Sequence, residues 1–267
     1  MILASASPVS VSLSVLAACA YAWPALRASR QSASIARAWV ALAWFLHGAV
    51  LTWGLLQTPA FFGFAPALSM TAWLVAAVYA IEIQIYPQLQ TRWTLSAVGA
   101  VAVVLACVFP GAALPQSASM WLPIHLALGV ASYGLFGTAV VHAWLMSRTE
   151  ARIRRAAEPQ SGLPLLTLER LTYRFVGAGF ALLTATLVMG YVFGDVVYGA
   201  GHAWRWDHKT IFSVLSWMTF AGLLVGRSRF GWRGKHAVAV LYAGSVLLLL
   251  AYVGSRFVLE VLLGRAT

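Results

Sequence analysis

Apolar residues are gathered into eight long runs, and short polar stretches separate one run from the next. The runs occupy about 5–26, 38–57, 67–86, 93–113, 121–146, 171–194, 210–226 and 236–263. A transmembrane helix takes about 20 apolar residues, and every run except the seventh reaches that length. None of them alternates apolar and polar residues with the period of two that strands require. The pattern predicts an all-α fold, a polytopic bundle of about eight transmembrane helices that forms one integral membrane domain over residues 1–267.

The composition excludes the common soluble classes. Hydrophobic residues make up 61% of the chain and charged residues 9%, whereas a soluble domain is about half apolar and about a quarter charged. The net charge of +11 is spread between the apolar runs, which argues against nucleic acid as a partner. Cys19 and Cys107 lie inside apolar runs and form no CxxC pair, which argues against a thiol-redox site.

The basic residues predict the orientation of the chain. Fourteen of the 18 lysines and arginines fall in the loops after the first, third, fifth and seventh runs. They are Arg27, Arg30, Arg37, Arg92, Arg148, Arg152, Arg154, Arg155, Arg170, Arg174, Arg227, Arg229, Arg233 and Lys235. Because cytoplasmic loops of membrane proteins are rich in Lys and Arg, these loops are expected in the cytoplasm. Both termini and the Trp-rich loop, residues 195–209, are then expected on the periplasmic side of a bacterial inner membrane.

The Trp-rich loop and the residues that follow it hold the densest chemistry in the chain. Trp204 and Trp206 offer flat surfaces for a porphyrin, and they equally fit the aromatic belt of a membrane interface. Asp207 directly precedes the seventh run, where Asp is a favoured helix N-cap. His202 and His208 are candidate iron ligands, since a neutral imidazole binds iron well. A polar, aromatic and imidazole-bearing segment among apolar helices predicts a haem site.

The candidate ligands His47 and His125 lie within apolar runs, where an ionisable side chain is costly to keep. His47 lies near the middle of the second run. It is a haem iron ligand, a proton-handling group, or a neutral histidine that is hydrogen-bonded to a neighbouring helix. His125 lies near the outer end of the fifth run, at the level of the Trp-rich loop. It is a haem iron ligand or an interfacial residue that anchors the helix end.

Arg256 lies in the last run, and Glu260 follows it by four residues. Residues at this spacing meet on one helix face. Arg256 is therefore either neutralised by Glu260 or available to a haem propionate, which a guanidinium binds through two hydrogen bonds. The set of His47, Glu82 and Arg256 also allows an alternative function as a small-solute permease. A further alternative is a non-catalytic scaffold or regulator of a membrane complex that uses the Arg-rich linker at 147–170 as its contact.

Several stretches resemble the cytochrome c assembly (CcsA-type) family, closest to its YpjD/HemX-like branch. The run from Trp204 to Thr210, followed by Trp217, resembles the family's Trp-rich signature WxWDxKE…W. The other stretches are WLPIHL at 121–126 with ASY at 131–133, GWRG at 231–234, LER at 168–170 and AYVGSRF at 251–257. The resemblance covers most of residues 38–263.

This resemblance implies haem handling at the outer face of the membrane in support of cytochrome c assembly. By position, His125 matches the family's periplasmic histidine and His47 matches a histidine of an early helix. Trp204, Trp206 and Asp207 match the loop motif. The chain has no CxxCH motif, so the haem is expected to be b-type and non-covalent. The expected partners are membrane lipid, haem, apocytochrome c and other cytochrome c assembly proteins.

Two departures from the family pattern bear on activity. The family's loop usually reads Pro-Lys-Glu where this chain has His208-Lys209-Thr210. The full haem synthetase of the family also has a second periplasmic histidine after the loop, near the last outer helix end, which this chain lacks. Both departures favour a haem chaperone or assembly factor over a stand-alone lyase.

Overall fold

The computed structural model of the protein describes residues 8–27, 32–86, 93–114, 121–155, 164–195 and 206–264. The helices are α1 (Pro8–Leu26), α2 (Ala33–Leu56), α3 (Phe64–Ile85), α4 (Trp93–Val108), α5 (Trp121–Arg154), α6 (Leu165–Val192), α7 (His208–Phe230) and α8 (Gly234–Leu249). The chain then continues through a first π-helical turn (Leu250–Gly254), a short α9 (Ser255–Phe257) and a second π-helical turn (Val258–Leu262).

The predicted all-α, polytopic fold is confirmed. Within the described ranges, seven helices are long and apolar enough to cross a membrane, and the last of them spans Gly234–Leu262. The helix α4 is apolar but shorter, with 16 residues. The side on which each terminus lies stays a prediction.

Helix boundaries differ from the apolar runs where polar residues continue the backbone hydrogen bonding. The helix α5 runs to Arg154 although its apolar run ends at 146, and α7 runs to Phe230 although its run ends at 226. Both extensions carry arginines in the last turn, where a cation meets the negative end of the helix dipole. The helix α7 also begins at His208, so the last two residues of the predicted loop at 195–209 are helical. The helix α4 stops short of the predicted 113, because Pro110 cannot continue it.

One compact unit contains α1 to α4 together with α9 and the second π-helical turn. In this unit α1 packs on α2 and α4, and α3 packs on the same two helices. At the centre lie Tyr21 and the small or medium side chains of Ala17, Ala20, Ala43 and Val103. Small side chains let helix backbones approach closely, which favours helix association in lipid.

A two-stranded antiparallel ladder joins two loops of this first unit. The strand β1 (Phe61–Phe62) pairs with β2 (Ala112–Ala113), and the hydrophobic pattern did not predict this pairing. Gly111 has a φ of +87°, and a Cβ at this position would lie 2.5 Å from the carbonyl carbon of Phe62. Only glycine fits such a backbone, both for its dihedral angle and for the close approach of the two chains.

The second compact unit contains α5 to α8 and the first π-helical turn. In this unit α5 packs on α6 and α8, and α7 packs on the same two helices. The rings of Phe136 and Phe220 stack at its centre with centroids 3.7 Å apart. Gly179 and Gly244 leave room for these rings, since a Cβ at either position would lie within 3.2 Å of one of them. One membrane domain over the whole chain stays a prediction.

Candidate functional site

Several helix termini of the second unit converge near His125. The helices α5 and α7 begin there, α6 ends there, and the first π-helical turn follows the end of α8. The rings of Trp121, at the start of α5, and Phe193, at the end of α6, stack with centroids 6.1 Å apart. The ammonium group of Lys209, in the first turn of α7, lies 5.7 Å from the centroid of the Tyr252 ring. These contacts bring together four segments that are far apart in the sequence.

His125 itself is buried in the second turn of α5, with 8% of its surface exposed. A Cβ placed on Gly190 of α6 would lie 3.5 Å from its Cε1 atom, so the imidazole packs against the bare backbone of this glycine. The positive charge of Lys209 also acts on the imidazole. We refer to His125, Gly190, Lys209 and Tyr252 as the His125 cluster.

Tyr133 fixes the turn that carries Tyr252. It lies two helical turns after His125 on α5, and its hydroxyl donates a hydrogen bond to the backbone carbonyl of Leu248. The backbone of Tyr252 lies next to the same Tyr133 hydroxyl. Leu248 lies two residues before the first π-helical turn, where the regular hydrogen-bond ladder is interrupted and a carbonyl needs another donor. The side chain of Tyr133 supplies that donor, and so it ties α8 to α5.

The end of the Trp-rich loop leads into the His125 cluster through a capped helix terminus. The Oδ1 atom of Asp207 accepts a hydrogen bond from the backbone N–H of Thr210 at 2.8 Å. The predicted N-cap role of Asp207 is therefore confirmed. Because the cap fixes the first turn of α7, it also fixes the position from which Lys209 reaches the cluster.

Trp206 and His208 flank this cap on the surface of the second unit. Trp206 is 68% exposed, and His208 is exposed as well. Trp204 and His202 lie outside the described residues. The roles of these four side chains as haem contacts stay predictions.

His47 lies in the first unit and is fully buried. Its Nδ1 atom lies 3.3 Å from the Tyr21 hydroxyl of α1, and its Nε2 atom lies 2.8 Å from the Ser69 hydroxyl of α3. Both ring nitrogens thus have partners on neighbouring helices. Binding of iron at either nitrogen would require the loss of one of these hydrogen bonds. The contacts fit the interpretation of His47 as a histidine that joins three helices, and its role as an iron ligand stays a prediction.

Arg256 and Glu260 also lie in the first unit, where the Glu260 carboxylate lies against the start of α3. Both carboxylate oxygens would lie 2.8 Å from a Cβ at Gly63, so glycine at this position leaves the space that the carboxylate occupies. The charge of Arg256 acts on the same carboxylate. The Glu260 carboxylate thus packs against the backbone before α3. Binding of a propionate by Arg256 stays a prediction.

A charged group in the second unit holds the turn between α7 and α8. Glu169 of α6 forms ion pairs with Arg227 at 2.5 Å and with Arg233 at 3.4 Å, and its side chain is only 12% exposed. Tyr173 donates a hydrogen bond to the backbone carbonyl of Trp232 at 3.1 Å. The GWRG stretch is therefore a turn that is anchored on α6. It lies near the start of α6, whereas His125 packs near the end of that helix.

Sequence reasoning missed Gly190, Lys209 and Tyr252 as parts of one site. Lys209 was visible as a charge beside the Trp-rich loop, and Tyr252 lies in a stretch that carries the family resemblance. No feature of the sequence singled out Gly190, because a single glycine in an apolar helix can be present for many reasons. Only the packing of α6 against α5 identifies it as the neighbour of His125.

The side chains of the His125 cluster, together with the nearby Trp121 and Phe193 rings, fit haem by their chemistry. Haem binding uses an imidazole in an apolar setting, aromatic or apolar surfaces for the macrocycle, and cations for the two propionates. His125, the stacked rings of Trp121 and Phe193, and Lys209 supply one of each. Among the described residues, no group of three or more His, Cys, Asp or Glu side chains could hold a metal ion.

Comparison with known proteins assigns this chain to a family. The family described as Cytochrome C assembly protein matches residues 33–263. A cytochrome c biogenesis protein CcsA of Nostoc punctiforme is 32% identical over 45% of this chain and 34% of its own length. The inner membrane protein YpjD of Escherichia coli is 29% identical over 52% of this chain and 52% of its own length. An uncharacterized 28.8 kDa protein of Azospirillum brasilense is 32% identical over 74% of this chain and 76% of its own length.

These matches differ in how much they cover. The similarity to CcsA spans about a third of that protein, and the similarity to YpjD spans about half of it. The family match, in contrast, covers most of this chain, including the segments that contain His47, His125 and Asp207. The resemblance that the sequence motifs indicated is confirmed, and this chain belongs to the cytochrome c assembly family of membrane proteins.

Proposed function

We propose that this protein binds haem and assists cytochrome c assembly, or haem handling that serves it, at the periplasmic face of a bacterial inner membrane. The observation that carries the proposal is the His125 cluster, in which a buried imidazole, a lysine and aromatic rings meet where the Trp-rich loop enters α7. Membership of the cytochrome c assembly family supports the link to cytochrome c.

In the proposed site each residue has a separate task. His125 ligates the iron, and the bare backbone of Gly190 keeps its imidazole in place. Lys209 offers a positive charge to a propionate, and Tyr252 holds the lysine side chain by a cation–π contact. Trp206, together with Trp204, covers the macrocycle, while Asp207 fixes the start of α7 beside them. Haem itself supplies the iron and the vinyl-bearing macrocycle that apocytochrome c receives.

The proposed role is that of a chaperone or assembly factor. Non-covalent binding of b-type haem fits a chain without a CxxCH motif. The departures at His208-Lys209-Thr210 and at the second periplasmic histidine favour binding and presentation over ligation of haem to apocytochrome c. Apocytochrome c or another assembly protein is the proposed recipient.

The test is haem titration of the detergent-purified protein, followed by absorption spectroscopy. We expect a Soret band for the wild type and loss of most of it in His125→Ala. The matched control is His142→Ala, which removes another buried histidine from the same helix. We expect His142→Ala to keep the band, because this histidine lies near the other end of α5. Added imidazole is expected to restore the band of His125→Ala in part, since it can fill the space of the missing ring.

The proposal depends on these differences. Protein that is expressed with ample haem and shows no Soret band, and that binds no haem on titration, would rule out a haem-binding function. Equal losses in His125→Ala and His142→Ala would mean that the two substitutions act through stability rather than ligation. The variant His47→Ala separates the two candidate ligands, because a change in its spectrum as large as that of His125→Ala would assign iron ligation to both.

A further inference from the structure

A cavity of about 460 Å³ lies among α1, α2, α3 and α4 in the first unit. Its walls are made by residues from all four helices. Those used here are Tyr21, Arg37, Trp44, Phe45, Ala76 and Gln84. None of the described residues that line it belongs to the His125 cluster or to the hydrogen bonds of His47, except Tyr21, whose hydroxyl is directed at His47.

The cavity is polar at one end and apolar at the other. Arg37 lies near the start of α2 and Gln84 near the end of α3, so both mark the same end of the unit. Phe45 lies eight residues after Arg37, and Ala76 lies eight residues before Gln84. At a rise of 1.5 Å per residue, each pair is about 12 Å apart along the helix axis. The cavity thus runs about 12 Å along the helices, from a cation at one end to apolar side chains at the other.

The wall between α2 and α3 is rigid. The indole N–H of Trp44 donates to the carbonyl of Trp73 at 3.1 Å, and the indole N–H of Trp73 donates to the carbonyl of Trp44 at 3.0 Å. The two indoles stack with centroids 4.8 Å apart and an interplanar angle of 6°. These reciprocal bonds join the two helices, so this side of the cavity is formed before any ligand arrives.

The other side of the cavity faces the surface of the unit. Phe45 is 67% exposed, and it forms part of the rim. Tyr21 and Tyr79, in contrast, are buried and form the floor. A side opening on a transmembrane helix faces lipid, so a ligand can enter laterally from the membrane with its long axis parallel to the helices.

We propose that this cavity is a binding site for one anionic phospholipid. Arg37 binds the phosphate through its guanidinium group, and one acyl chain lies along Phe45 and Ala76. The expected cytoplasmic side of Arg37 agrees with this assignment, because that leaflet carries anionic lipids and basic pockets between transmembrane helices bind their head groups. Among the described residues that line the cavity there is no His, Cys or Met, and the hydroxyl of Tyr21 is directed at His47 rather than into a site for haem iron.

The test is native mass spectrometry of the purified full-length protein with phosphatidylglycerol and phosphatidylcholine at equal concentrations. We expect one tightly retained phosphatidylglycerol on the wild type. Arg37→Gln should lower its affinity about tenfold, the effect of losing a charged hydrogen bond. Arg229→Gln is the matched control, because it removes an equal charge from an exposed position of the second unit. Ala76→Leu fills the apolar end without a change of charge, and it should also lower retention.

Thermal unfolding of each variant is measured alongside, and Arg37→Lys provides a variant that keeps the charge. Equal retention of the two lipids by the wild type would overturn the proposal. Equal losses in Arg37→Gln and Arg229→Gln would do so too, because they would show a general attraction to basic surfaces. An occupant with a Soret band that Arg37→Gln removes, with lipid retention unchanged, would assign the cavity to haem instead. The proposal does not depend on the His125 cluster, so a failure of one leaves the other intact.

Discussion

Substitution of Gly190 tests the His125 cluster without touching any proposed ligand. A Cβ at this position would lie 3.5 Å from the Cε1 atom of His125, which is an ordinary van der Waals distance. Gly190→Ala should therefore fit. It should leave haem binding unchanged and stabilise α6 by up to about 1 kcal/mol, since alanine favours a helix more than glycine does. Gly190→Leu adds three further carbons in a space that the imidazole fills, so the ring must move.

The expected size of the effect follows from overpacking. Forcing extra carbons into a packed site costs about 1–3 kcal/mol. If the binding of haem iron by His125 is weakened by this free energy, the haem affinity falls by about 5- to 150-fold. The matched control is Gly177→Leu on the same helix, where a Cβ meets no atom within 4 Å. We expect this control to bind haem as the wild type does.

The assay is haem titration monitored at the Soret band, with thermal unfolding of each variant recorded in parallel. The two measurements separate a displaced imidazole from a destabilised helix. Wild-type affinity in Gly190→Leu would refute ligation by His125, because the ring cannot keep its position beside a leucine. A loss of similar size in Gly177→Leu would refute the local explanation.

Three further substitutions test the contacts that support the sites. Asp207→Ala should destabilise the start of α7 by about 1 kcal/mol, as loss of an N-cap does, while Asp207→Asn keeps the cap; thermal unfolding checks the difference. Glu169→Gln should destabilise the protein by about 1–3 kcal/mol, because Arg227 is only partly exposed and loses its charged partner. The exposed pair of Glu150 serves as control, and Glu150→Gln should change stability by less than about 0.5 kcal/mol. Glu260→Ala removes the carboxylate that lies against the start of α3 and should give faster amide hydrogen exchange there, whereas an unchanged exchange rate at Phe64 would contradict a stabilising contact.

The family could be inferred from the chain alone. The Trp-rich segment before α7, the histidine in WLPIHL and the GWRG turn are local patterns, and the match over residues 33–263 confirms what they indicate. The N-cap role of Asp207 was also a local inference, since a cap depends on the backbone within three residues. Local patterns of this kind are readable because the atoms that they join are close in the sequence.

The roles of His47 and His125 were harder to infer from the sequence. The sequence placed His47 and His125 in apolar helices and left both as candidate ligands. The structure shows that both nitrogens of His47 have hydroxyl partners on α1 and α3, whereas the His125 ring packs against Gly190 and is under the influence of the Lys209 charge. A hydrogen bond between different transmembrane helices depends on how they rotate about their axes, and hydropathy does not report rotation.

The sequence by itself determined the all-α, membrane-spanning class of this protein and its family. Burial of apolar residues in lipid depends on composition and length, so these follow from the order of residues without knowledge of packing. Only the tertiary structure decided that Gly190 packs against His125, that Lys209 lies over the Tyr252 ring, that the Glu260 carboxylate lies against the start of α3, and that Arg37 marks the polar end of a cavity. Each of these contacts joins distant segments of one unit. Close packing selects such contacts, because helices in lipid associate through side-chain fit and interhelical hydrogen bonds rather than through the hydrophobic pattern that forms them.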